Sequence, residues 1–261
     1  MTLTLAQTDF KLRYFGSVLG YFWQLIRPLL FFGVIYVFFT RILHSISKGI
    51  PHYGVYLLAG IVLWTFVGEA TGSCVTCLLA RESMLRKVRF PRLAIPLAVV
   101  MTATFNLLMN SIAVLVFTLA NGVSPSLSWL WIPPIVLGFV MLVLGIGMLL
   151  SVLYVRFRDV QPIWEVLMQA LFYASPIMYA AANYGSHRAV ALLNPFALML
   201  TQMSHALIHP GVIHHHHYLP SAYAASGGPV HFAATIALIP IIFGLGLWVF
   251  TREAPRVAEN L

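Results

Sequence analysis

Apolar residues run through this sequence in long blocks, separated by short polar stretches that hold most of the charge. Blocks at Trp23–Ile42, Tyr53–Leu78, Leu97–Leu119, Ile132–Val155, Pro162–Ala181 and Val230–Phe250 each reach the ~20 residues that cross a bilayer as a helix. None shows the strict alternation of a membrane β-barrel strand. The pattern predicts an all-α, polytopic membrane protein with six transmembrane helices. The second and third blocks exceed one crossing and predict tilt or projection.

Two stretches outside these blocks have patterns of their own. In residues 1–20, Leu5, Phe10, Leu12 and Phe15 mix with Asp9, Lys11 and Arg13. This suits an amphipathic helix lying in the interface; the alternative is a frayed soluble tail. Residues 182–229 form a loop containing a further apolar run, Val190–Leu207, broken at Asn194-Pro195. A seventh span there would carry Arg252 and Arg256 to the opposite side. A pair of short re-entrant or interfacial helices avoids this.

Composition removes the soluble classes: of 261 residues, 60% are hydrophobic and only 8% are charged. A soluble surface needs about 25% charged residues. The net charge of +8 is distributed by side. Lys11, Arg13, Arg27, Arg81, Arg86, Lys87, Arg89, Arg92, Arg156, Arg158, Arg252 and Arg256 fall on one face, and Arg41, Lys48 and Arg188 on the other. The positive-inside rule therefore predicts that both termini are cytoplasmic. No small-residue cleavage site follows a short apolar core at the start, so no cleavable signal peptide is expected.

The chain carries no phosphate-cradling GxxxxGK[ST] loop and no HExxH, GxSxG or GxGxxG motif. Of seven acidic residues, only Glu69 and Glu165 fall within apolar blocks. Glu69, in Gly68-Glu-Ala-Thr-Gly72, reads either as a carboxyl facing a polar neighbour inside the bundle or as a pathway residue. The glycine spacing around it predicts close helix approach. Glu165 reads either as a partner for Arg156 or Arg158 at the cytoplasmic end or as a pathway residue. Cys74 and Cys77 make a CxxC on a membrane helix, where packing is expected over metal or redox chemistry. His214–His217 reads either as a metal-binding tract or as a solvated loop with incidental affinity; the second is expected, because no fixed ligand spacing accompanies it. No catalytic residue, metal site or cofactor site is expected in this chain.

Three stretches together resemble the permease subunits of type-two ABC exporters of cell-surface polysaccharides: O-antigen, teichoic-acid, capsule and galactan exporters. The first is residues 10–30, FKLRYFGSVLGYFWQLIRPLL, where Ser17, Leu19, Gly20, Tyr21, Trp23, Pro28 and Leu29 fit the family pattern. The second is residues 85–96, LRKVRFPRLAIP, where Lys87, Phe90, Pro91, Arg92 and Pro96 match. The third is residues 171–179, LFYASPIMY, followed by Leu193-Asn-Pro195. The His-rich outer loop departs from the pattern.

The resemblance implies a single transmembrane domain of ABC-2 type in the cytoplasmic (inner) membrane. It implies a homodimer with two copies of a separate cytoplasmic ABC ATPase, which holds ATP and magnesium. The substrate implied is a lipid-linked polysaccharide, and no nucleic acid is involved. Residues 80–92 become the coupling segment, with Arg81, Glu82, Arg86, Lys87, Arg89, Phe90, Pro91 and Arg92. The five basic residues there exceed what orientation alone requires. Spans one and five become the channel walls, with Tyr14, Tyr21, Trp23, Phe32, Tyr36, Phe172, Tyr173 and Tyr179 along the pathway. Lipid-facing and interfacial packing is the alternative role for each ring. The rival functions are an integral-membrane enzyme acting on a polyprenol-linked glycolipid, disfavoured by the scarcity of acids and histidines in the cytoplasmic loops, and a secondary transporter, disfavoured by the scarcity of buried charge.

Overall fold

A computed structural model describes residues 20–43, 50–81, 91–208 and 219–260, and their side chains apart from those of 20–22 and 255–260. The expected interfacial helix, Tyr14, Glu82, Arg86, Lys87, Arg89, Phe90 and His214–His217 lie outside the described residues. So does the side chain of Tyr21.

The described chain is all-helical. The long apolar blocks become α1 (Gly20–Val37, extended by a π turn over Phe38–Ile42), α2 (Tyr53–Thr76), α3 (Ala94–Ala120) and α4 (Ile132–Arg156, entered by a 3-10 turn at Leu127–Trp131). They continue as α5 (Val160–Ala174), α6 (Arg188–Ala191), α7 (Pro195–Ile208), α8 (Ala222–Ala225) and α9 (Pro229–Asn260). Prolines stand mostly where a helix tolerates them: Pro133 and Pro134 in the first turn of α4, and Pro229 at the start of α9.

Among the described residues, five helical segments are long and apolar enough to span a membrane: Trp23–Ile42, Tyr53–Thr76, Ala94–Ala120, Leu127–Arg156 and Pro229–Ala254. The block at Pro162–Ala181 is the exception. Its helix, α5, has 15 residues and rises about 22 Å, short of the ~30 Å hydrocarbon layer. It stops because Pro176 excludes the helical conformation at Ser175, whose backbone is extended (φ −101°, ψ 150°). The break that Pro176 predicts near the outer end of span five therefore falls at Ser175, and the block to Ala181 is α5 followed by a non-helical stretch and a 3-10 turn at Ala181–His187. Beyond it, Asn194-Pro195 separates α6 from α7, as the broken apolar run implies.

At the centre of the bundle is α4, packed between α2 on one side and α9 on the other, with α7 lying against α4 and α2. Small residues set these distances. A Cβ added to Gly246 of α9 would collide with the Gly145 carbonyl oxygen of α4, and one on Gly147 would meet Cys74 Sγ at 2.8 Å. Backbones approach closely here because membrane helices gain from direct van der Waals packing. The CxxC cysteines are buried free thiols serving this packing. Among the described residues the close approach expected at Gly68 and Gly72 is not made: a Cβ at Gly72 meets none of them within 4 Å, and one at Gly68 meets only Met168 Cε at 3.8 Å. The periodicity of α2 alone did not reveal that its tight contact is made through Cys74.

The α4–α9 crossing yields a paired prediction. Gly246→Ala has to push the two helices apart, at a cost of about 1–3 kcal/mol. Gly244→Ala adds a methyl where nothing lies within 4 Å. Thermal denaturation of the purified protein is expected to show Gly246→Ala destabilised and Gly244→Ala unchanged or slightly raised.

Candidate functional site

The break after α5 leaves backbone carbonyls without helical partners at Tyr173, Ala174, Pro176, Met178 and Tyr179. Four tyrosine hydroxyls reach them. Tyr53 donates to the Met178 carbonyl at 3.0 Å. The single Tyr56 O–H is shared between the carbonyls of Tyr179, at 2.7 Å, and Pro176. Tyr179 donates to the Tyr173 carbonyl, and Tyr184 to that of Ala174 at 2.6 Å. Burial and the neighbouring Tyr179 push the Tyr184 phenol well above its ordinary range, so it stays protonated and able to donate. Asn194 completes the arrangement: its Oδ1 accepts from the Phe196 N–H at 3.0 Å, capping α7, and its Nδ2 donates to Ser175 Oγ at 3.4 Å.

The same tyrosines belong to a chain of aromatic contacts joining α1 to the break. On α1, Phe32 stacks on Tyr36 at 5.4 Å and meets Phe117 of α3 edge-on. Tyr36 stacks on Tyr53 at 6.3 Å, and Tyr53 on Tyr56 at 6.4 Å. Tyr179 and Tyr184 meet edge-on at 5.4 Å. A second group joins Phe31 of α1 to Phe172 of α5, with Trp64 and Tyr173 around it.

Accessibility divides the expected pathway residues. Trp23 (58% exposed), Tyr36 (37%) and Tyr173 (68%) present their rings outward. Phe32 and Tyr179 are half-buried. Phe172 is buried beneath Phe31 and Trp64, so it supports the exposed face from behind. Tyr53, Tyr56 and Tyr184 were missed in the sequence, although an i,i+3 tyrosine pair opening a span ahead of a Ser-Pro break was a usable signal.

Both intramembrane carboxylates have neutral partners. Glu69 accepts from Asn106 Nδ2 of α3 at 2.7 Å and from Gln24 Nε2 of α1 at 3.2 Å, which ties three helices together. Glu165 accepts from Gln161 one turn earlier at 3.2 Å, while Arg158 lies over the Tyr154 ring at 5.3 Å. Of the coupling residues, Arg81 ends a 3-10 turn, Pro91 leads into α3, and Arg92 donates to the Ala254 carbonyl of α9.

Comparison with known proteins places these features in a family. Residues 2–208 match the family described as ABC-2 type transporter. The chain is 30% identical over 263 residues to an O-antigen export system permease protein RfbA of Klebsiella pneumoniae, covering all of this chain and 95% of the relative. A second protein of that name and organism is 33% identical over 202 residues, 77% of each chain. A Myxococcus xanthus protein of the same name is 28% identical over 225 residues, covering 85% of this chain and 83% of the relative.

The tyrosine contacts can be tested one hydroxyl at a time. Tyr56→Phe leaves two carbonyls of the break unpaired and is expected to cost about 2 kcal/mol. Tyr53→Phe removes one bond and should cost less. Tyr223→Phe, on an exposed ring, is the control. Thermal stability of the purified protein should fall in that order, with accelerated proteolysis near residues 175–180 in the Tyr56 variant.

Proposed function

Because the chain belongs to the ABC-2 type transporter family and is the permease subunit of a polysaccharide exporter, we propose that it pairs with a second copy of itself and two copies of a cytoplasmic ABC ATPase. Together they pass a lipid-linked, O-antigen-like polysaccharide outward through a channel at the homodimer interface. The permease is not itself an enzyme; ATP and magnesium are held by the ATPase.

The observation that carries the channel reading is α1. It is the least buried of the long helices except near its polar and aromatic contacts, and it leaves Trp23, Phe31 and Tyr36 exposed. On α5, Tyr173 adds another exposed ring beside the buried Phe172. A polymer longer than the membrane is thick has to enter and leave every contact, so it requires many weak ones. Aromatic faces meet the apolar C–H surfaces of sugars without holding any one residue tightly.

The topology follows from the same features. Twelve basic residues on one face put both termini in the cytoplasm. In this reading α5 and the extended stretch after it make one crossing together. The pair α6 and α7 then returns as the re-entrant element, its irregular backbone shielded by protein. The basic segment 80–92 docks the ATPase. Its far end is fixed by Arg92, which fastens the start of α3 to α9 and gives the segment a firm base.

Two outcomes test this. Tyr36→Ala and Tyr173→Ala should each reduce surface display of long polymer several-fold at normal membrane abundance and normal ATPase association, read by gel or antibody. Normal export by both variants would remove the aromatics from the pathway. Replacing Arg86, Lys87 and Arg89 together with Glu should weaken ATPase co-purification at least about tenfold, because like charges at an interface cost affinity and on-rate. Cysteine labelling from each side confirms that the insertion is unchanged, and unaltered co-purification with correct topology would count against the docking role.

A further inference from the structure

Arg27 stands four residues into the apolar run that begins at Trp23, about 6 Å along α1. It is exposed, and among the described residues it has no hydrogen-bond or ion-pair partner. A guanidinium at that depth is costly unless it meets an anion or reaches the headgroup layer. Glu69 holds Gln24, one turn below Arg27, and Asn106, both neutral amides. Arg27 lies one turn from Gln24 on a neighbouring strip of α1, and it stays exposed. Trp23 and Phe31, four residues to either side, are exposed on the same face, so the stripe reads aromatic, cationic, aromatic.

We propose that Arg27, flanked by Trp23 and Phe31, binds the phosphate of a lipid headgroup, and that during export this is the phosphate ester joining lipid to glycan. The planar guanidinium fork makes paired hydrogen bonds to phosphate oxygens. The neighbouring indole and phenyl rings suit the boundary where a headgroup meets its hydrocarbon chain. The assignment rests on the export reading above for the lipid-linked substrate and for the cytoplasmic position of this end of α1.

The test is equilibrium binding of radiolabelled geranylgeranyl diphosphate to the permease–ATPase complex in maltoside micelles, which contain no phosphate. The wild-type complex should bind it saturably. Arg27→Gln should weaken binding by about tenfold or more, the loss of a charge-assisted bond. Arg27→Lys keeps the charge that guides insertion but loses the fork, and should weaken binding several-fold. Arg41→Gln, at the other end of the same span, should bind as wild type. Unchanged binding in Arg27→Gln with normal ATPase association overturns the site; if that variant fails to assemble, unchanged binding in Arg27→Lys does so. Competition separates the two sources of phosphate. Displacement by unlabelled geranylgeranyl diphosphate but not by phosphatidylglycerol supports the lipid–glycan link as the occupant. Equal displacement by phosphatidylglycerol overturns that part and makes the occupant a bilayer lipid. The complex is assayed without export, so intact binding beside absent export would count against the export reading alone.

Discussion

A backbone that leaves its helix in a hydrocarbon environment has to find new partners for every polar group it frees, at a cost of several kcal/mol for each failure. Pro176 creates that demand after α5, and tyrosine hydroxyls meet it. Tyrosine suits the task because its ring packs as an apolar body while its tip donates one bond at a distance from the donor's own backbone. Tyr53 and Tyr56 extend from the start of α2, and Tyr179 and Tyr184 fold back from the break itself. The result joins α2, α5 and, through Asn194, α7 into one unit. The irregular stretch is thereby held in one conformation.

That unit rests on a second, more rigid one. The central helix α4 meets α2 at Gly147 and α9 at Gly145, with spacing set by backbone contact. A crossing whose closest atoms are main chain cannot adjust by turning a side chain. It behaves as a fixed frame. By contrast, α1 is attached at separate points: Gln24 to Glu69 near one end, and Phe32 and Tyr36 to Phe117 and Tyr53 farther along. The molecule thus combines a close-packed centre with one long helix held by a few contacts.

Much of this was legible in the sequence, for local reasons. Apolar runs mark spans because hydrocarbon thickness sets their length, and five of the blocks became spanning helices. Pro176 and Asn194-Pro195 marked chain breaks because proline restricts its own residue and the one before it. What remained hidden was pairing at long range. Tyr53 and Met178 are 125 residues apart: the tyrosine pair and the Ser-Pro break are each visible locally, but which carbonyl each hydroxyl reaches is not. The same holds for Glu69, whose glycine-flanked setting pointed to a close helix approach when its actual partners are Gln24 and Asn106. The tight crossing at Gly145 and Gly246 could not be distinguished by local spacing from the open one at Gly72. Which glycine is pressed against a neighbour depends on the face each helix turns, and the weak amphipathicity of such uniformly apolar helices hardly specifies it.

The distribution of polar groups bears on what the exposed surface can do. At depth they turn inward: Glu69 to Gln24 and Asn106, Thr71 to the Trp164 indole at 3.0 Å, Asn110 to the Asn106 carbonyl at 2.9 Å. Each is satisfied within the protein, as a low-dielectric setting demands. The outward faces of α1 and α5 carry mainly aromatic rings and aliphatic side chains, with Arg27, Arg41, Glu165 and Gln169 as exposed polar positions. A surface of that kind discriminates weakly among sugars, since a ring face accepts many C–H patterns and offers few directional bonds. Strong discrimination between substrates comes instead from buried polar groups that are unpaired until the right partner arrives. A wall without such groups in its outward aromatics suits a repeating polymer that has to slide, and it shifts the burden of selection to the few charged positions near its inner end, Arg27 among them.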